Sequence, residues 1–165
     1  MRFFINKKNN IFYINDAYNA NPISMENSLK ILSKIDPNEN NKIVILGDML
    51  ELGKEEDFFH KNLAKKILDI NFKKVILIGE KTKYTFLALK GYLNDSNLKN
   101  FTKLNEFYKK SNSFLDEFIK NNILKFENVD EFIIFLEKNY IFEKNDIVFI
   151  KGSRKMKLEK IIDFL

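Results

Sequence analysis

At 165 residues, with 45% of them apolar and 31% charged, the chain is sized for one globular domain over residues 1–165, able to bury roughly 68–70% of its unfolded surface. Its net charge is +5, but the lysines alternate with acids, as in Lys54-Glu55-Glu56-Asp57, which describes a solvated surface and argues against a stripe that tracks nucleic-acid phosphates. It has no cysteine, hence no disulfide frame and no thiolate metal site, and no apolar run approaches the ~20 residues that span a bilayer. The apolar start Met1-Arg2-Phe3-Phe4-Ile5 is cut short by Asn6-Lys7-Lys8-Asn9-Asn10, unlike a secretory leader. The expectation is a cytoplasmic protein without membrane or nucleic-acid partners.

The first short apolar run, residues 11–14, ends in a polar cluster, and Met25, Leu29, Leu32 and Ile35 then recur at helical spacing. Asn21 followed by Pro22 is a start signal for that helix: a capping side chain, then a residue of fixed φ in the first turn. Residues 42–46 read as the next strand, and Phe59, Leu63, Ile67 and Ile70 as the stripe of a second helix. Residues 75–78 are a third strand ending at Gly79. Residues 81–92 and 105–121 read as helices, with a break at 94–97. A strand at 123–126, a helix near 129–138 and a strand at 146–150 follow. Leu158, Ile161, Ile162 and Leu165 line a closing helix.

Strands that are nearly continuous apolar runs, alternating with helices, specify an α/β fold with a mostly parallel sheet of about six strands and helices on both faces. In such a sheet ligands bind beyond the carboxyl ends of the strands. Four polar clusters follow directly after strands: Asp16 to Pro22, Gly47-Asp48-Met49, Gly79-Glu80, and Lys151-Gly152-Ser153-Arg154.

In the first cluster Asp16, Tyr18, Asn19 and Asn21 combine a carboxylate, a phenol and two carboxamides, a set able to hydrogen-bond a ribose and a base with the Tyr18 ring as an apolar wall. Helix capping by Asn21 and a turn conformation at Asn19 explain only part of it. In the second, Asp48 and Glu51 could orient an ammonium group or a metal's water shell, or could belong to an ordinary loop before a helix. His60, the only histidine, sits on a helix flank, where a structural hydrogen bond is the commoner role. In the fourth, Lys151, Ser153 and Arg154 at a helix start suit a phosphate or carboxylate, the alternative being a basic turn capped by Ser153. No Gly-x-Gly-x-x-Gly follows the first strand and no Gly-x-x-x-x-Gly-Lys-Ser/Thr occurs anywhere, so a nucleotide's phosphates would have to be held by something else. One histidine and no cysteine provide no nucleophile arrangement.

Three strings carry a resemblance. Residues 14–25, through Asp16-Ala17-Tyr18-Asn19-Ala20-Asn21-Pro22, resemble the opening of the C-terminal domain of the Mur ligase family. Leu46-Gly47-Asp48-Met49-Leu50-Glu51-Leu52-Gly53, with His60 beyond, and Lys151-Gly152-Ser153-Arg154, with Met156 and Leu158-Glu159, resemble its later blocks in the same order. The resemblance implies a three-layer Rossmann-like domain of an ATP-dependent amide ligase of peptidoglycan synthesis, the branch that joins D-alanyl-D-alanine to UDP-N-acetylmuramoyl-tripeptide through an acyl phosphate. It further implies partner N-terminal and central domains, absent from these residues, with ATP and Mg2+ held mainly by the central one and no metal site here. A domain alone would be inactive. On this reading Asp16, Tyr18, Asn19 and Asn21 face the nucleotide, while Asp48, Glu51, His60, Lys151, Ser153 and Arg154 shape the closed substrate site, where Arg154 or the helix start meets the dipeptide's carboxylate. Asn15 and Lys155 depart from the family's common acid and glycine. The alternatives are a folate-type glutamate ligase domain, which the first and last strings disfavour, and a free-standing binding or scaffold module of the same fold.

Overall fold

The computed structural model describes residues 4–35, 41–94 and 112–165. In chain order they form β1 (Phe4–Lys8), β2 (Ile11–Asp16), α1 (Pro22–Leu32), β3 (Lys42–Gly47), α2 (Glu56–Leu68), β4 (Phe72–Ile78), α3 (Thr82–Asn94), α4 (Asn112–Asn122), β5 (Ile123–Phe126), α5 (Val129–Lys138) and β6 (Ile147–Lys151), with 3-10 turns at Gly53–Glu55, Arg154–Met156 and Leu158–Phe164. The six strands make one sheet in the order β1-β2-β6-β3-β4-β5. All neighbours are parallel except β1 and β2, an antiparallel hairpin. The hairpin turns at Asn9 and Asn10, both at positive φ (52° and 61°), the backbone that a two-residue turn between twisted strands requires and that asparagine tolerates.

Burial explains the continuous apolar strands. Along β3, Val44 and Leu46 enter the core beneath α1, α2 and α3 with Met25, Leu29, Leu63 and Ile67. Ile43 and Ile45 enter the opposite one with Phe132 and Leu136 of α5 and Leu158 and Ile161 of the last turn. Successive side chains of a strand point to opposite faces, so a sheet covered on both sides cannot alternate apolar with polar.

Sequence expectation and structure part at two places. β1, read only as an apolar start, is a sheet edge. The closing segment is not an α-helix but two 3-10 turns on either side of Lys157, which holds a left-handed φ of 53°. Leu158 and Ile161, three apart and both fully buried, match the three-residue period of that tighter helix. Of the helix expected over 105–121, residues 105–111 lie outside the described residues, as do 95–97 of the expected break. No helix among the described residues is long and apolar enough to cross a membrane.

Candidate functional site

β6 lies between β2 and β3, so the polar segments after all three strands meet at one edge of the sheet. Asp16 and Lys151 end β2 and β6 in matched register. The Lys151 ammonium donates to Asp16 Oδ2 at 2.5 Å and to the Asn19 carbonyl at 3.0 Å. The Ser28 hydroxyl, 3.1 Å from the same Oδ2 and 2.8 Å from the Ser24 carbonyl, shares its one proton between them. Lys151 is 1% exposed and Asp16 4%, so this is an ion pair withdrawn from water and made good by hydrogen bonds on both sides.

Above the pair opens a cleft of about 540 Å3 lined by Asp16, Tyr18, Asn19, Asn21 and Lys151 together with Ile23, Ser24 and Asn27 of α1. Asn21 does double duty. Its carboxamide oxygen accepts from Ser24 N at 2.9 Å while Ser24 Oγ accepts from Asn21 N at 3.1 Å, a reciprocal cap on α1. At the rim the Arg154 guanidinium stands 5.6 Å from the centre of the Tyr18 ring, within range of a cation–π contact.

The second block is turned inward. Asp48 Oδ1 accepts from Lys81 N at 3.0 Å and Thr82 N at 2.9 Å, which satisfies two of the donors left open at the start of α3. Burial raises the pKa of Asp48 above the ordinary aspartate value, against the opposing effect of these two backbone N–H groups. Gly79 leaves the room: at its φ of +119° a Cβ would lie 2.5 Å from the Asp48 carboxylate. His60 is fully buried. Its Nε2 accepts from Met49 N at 3.1 Å and its Nδ1 donates to the Glu56 carbonyl at 2.8 Å, the tautomer those two partners select. Ser153 N donates to the Asp48 carbonyl at 3.0 Å, and Ser153 Oγ accepts from Leu50 N at 2.9 Å. Glu51 is exposed at φ 65° with Lys155 Nζ 3.3 Å from its carboxylate.

The sequence-predicted residues therefore fall into two sets. Asp16, Tyr18, Asn19 and Asn21 share the cleft, and Lys151, expected among the residues of the closed substrate site, joins them with Arg154 at the rim. Asp48, His60 and Ser153 hold the loop after β3 against α3 and the turn after β6, so they shape the edge by positioning. Ser153 makes no side-chain cap on the turn that follows it. Ile23, Ser24 and Asn27 went unnoticed in the sequence, although they occupy one face of the helix that opens directly after the Tyr18 loop, a signal readable from the 3.6-residue period.

These features define a class. The Mur ligase, glutamate ligase domain family matches residues 1–154, and the chain belongs to that family. It is 33% identical over 90% of its length to the UDP-N-acetylmuramoyl-tripeptide--D-alanyl-D-alanine ligase of Rickettsia prowazekii (strain Madrid E). It is 30% identical over 90% of its length to the enzyme of the same name from Bacillus subtilis (strain 168). The chain spans 26% of the length of each of these relatives. Among solved structures, the fold matches MurF ligase from Thermotoga maritima in complex with ADP (TM-score 0.64, 20% identity, 99% of this chain and 30% of that one). It also matches MurF from Acinetobacter baumannii (TM-score 0.65, 18% identity, 97% and 28%).

Proposed function

We propose that this chain is the closing domain of a cytoplasmic ATP-dependent ligase that joins D-alanyl-D-alanine to UDP-N-acetylmuramoyl-tripeptide, the activity named for its relatives. The observation that carries the reading is the 540 Å3 cleft at the carboxyl edge of the sheet, lined by groups that fit a nucleoside in a chain that lacks a phosphate loop. Tyr18 offers an aromatic wall and Asn19 and Asn21 offer carboxamides. On the floor, an ammonium has three N–H donors, and Lys151 uses them on Asp16 Oδ2 and the Asn19 carbonyl alone among the described residues. Asp16 Oδ1 accepts nothing there. A donor beside a free acceptor suits a ribose hydroxyl, which can accept from one and donate to the other.

When bound, ATP supplies the phosphoryl group that activates the tripeptide's carboxylate for attack by the dipeptide amine. The phosphates and Mg2+ fall mainly to the partner central domain. What this chain contributes is orientation: a pinned loop edge and a preorganised cleft that hold reactants without reorganising. Arg154, free to leave the Tyr18 ring, provides a fork for the dipeptide carboxylate.

A chimera in which residues 1–165 replace the matched quarter of the Bacillus subtilis ligase tests the reading. Phosphate release that depends on D-alanyl-D-alanine, and does not occur with L-glutamate as the amine, is the expected result. A folded chimera without dipeptide-dependent release would leave a non-catalytic module, and release with glutamate would point to the folate-type branch.

A further inference from the structure

Asp16 is the carboxylate on the floor of the cleft, and rotation about its Cβ–Cγ bond decides which of its two oxygens faces a ligand. That torsion is broad and nearly two-fold, so the side chain by itself does not choose. Lys151 does not choose either. Its ammonium is a compact charge with rotatable donors, and one contact to one oxygen lets the carboxylate plane swing about the line that joins them.

Ser28 supplies the second contact. Its hydroxyl lies 3.1 Å from Asp16 Oδ2, the oxygen that Lys151 already holds at 2.5 Å, and two directions onto one oxygen fix the plane. The hydroxyl is itself held: Ser28 is 1% exposed, and its Oγ stands 2.8 Å from the carbonyl of Ser24, one turn earlier in α1, the back-bond open to a helical serine. Ser24 is bound in turn to Asn21 in the cap of α1. A continuous run of hydrogen bonds therefore leads from the helix cap to the ion pair through Asn21, Ser24, Ser28, Asp16 and Lys151. Asp16 Oδ1 has no partner among the described residues, yet it is not one of the buried side-chain atoms left unsatisfied. In a residue that lines the cleft, this is the oxygen open to it.

We propose that Ser28 is a positioning residue for nucleotide binding: without touching the ligand, it holds Asp16 Oδ2 inward and so turns Oδ1 toward a hydroxyl of the bound ribose. This rests on the function proposed above and adds to it a residue from behind the cleft wall. Ser28 is not part of the cleft lining, so its loss reaches the ligand through Asp16. Ser28→Ala is mild for the fold. Lys151 still neutralises Asp16, alanine is the better helix former, and the change leaves no buried donor without a partner.

The test measures kcat and KM of the chimera and of its Ser28→Ala variant with ATP, 2′-deoxy-ATP and 3′-deoxy-ATP. In the unsubstituted chimera, removing the hydroxyl that meets Oδ1 is expected to raise KM about tenfold or more. Ser28→Ala is expected to raise KM for ATP by about three- to tenfold and to leave kcat unchanged, as loss of a contact made equally in ground and transition states does. With the nucleotide that lacks the hydroxyl, Ser28→Ala should leave KM unchanged, because the misplaced oxygen then has no partner to lose. An unchanged KM for ATP overturns the positioning role while leaving the ligase reading intact. An equal loss with all three nucleotides overturns it too, because that is the signature of general damage to the cleft. An unsubstituted chimera that is indifferent to both hydroxyls, or that folds without activity, removes the reading of the cleft on which the inference stands.

Discussion

Asp48 gives the sharpest test of how the sheet edge is built. Both of its backbone donors, Lys81 N and Thr82 N, converge on Oδ1. Asp48→Ala removes that acceptor and strands two N–H groups. Leaving a buried donor without a partner costs about 1–3 kcal/mol. Thr82 is buried and Lys81 only partly so, which places the total at roughly 2–4 kcal/mol. For a domain of this size each kcal/mol moves Tm by about 2–4 °C, so a fall of about 4–16 °C is expected. Asp48→Asn keeps an oxygen at Oδ1 and removes the buried charge, and should lie within about 1 kcal/mol of the unsubstituted protein at pH 7.

The pH dependence separates charge from geometry. Asp48's pKa is raised on folding, so the folded state binds its proton more readily than the unfolded state. Its contribution to stability therefore falls as pH rises from the ordinary aspartate value through the raised one, and the cost is fully present above that window. Relative to the native protein, the Asp48→Asn variant should compare better at pH 7 than at pH 4. Chemical denaturation at both pH values measures this. Asp48→Asn as damaging as Asp48→Ala would refute the reasoning, because charge rather than oxygen placement would then be holding α3.

Three further outcomes concern other positions. Lys151→Met should cost about 3–5 kcal/mol by leaving Asp16 buried without a counter-charge, and Asp16→Asn added to it should recover most of the loss, read as Tm of the single and double variants. Gly152→Ala would put a Cβ 2.6 Å from Leu158 Cδ1 and 3.0 Å from Gly47 Cα, an overpacking cost of about 1–3 kcal/mol in urea unfolding; Gly91→Ala, in α3 with nothing within 4 Å of its Cβ, should instead stabilise by about 0.5–1 kcal/mol.

The amino-acid sequence by itself determined the layers and the neighbourhood of the site. Apolar runs such as Val75-Ile76-Leu77-Ile78 can be strands only in a sheet covered on both faces, the Asn21-Pro22 start set the first helix, and the polar clusters after strands marked the edge where a ligand would sit. β1 stayed hidden because its short run ends in lysines, and it gains a partner only through the Asn9-Asn10 turn. What the tertiary structure decided was which polar side chains meet one another and which are left for a ligand. Periodicity reports which face a residue takes and carries nothing about strand order. Placing β6 between β2 and β3 joins Lys151 to Asp16 across 135 positions and Ser153 to Leu50 across 103. That placement brings Lys151 into the cleft beside Asn19 and Ser153 against the loop after β3, while Asp48 and His60 are committed to hydrogen bonds with the start of α3 and with the loop and helix after β3.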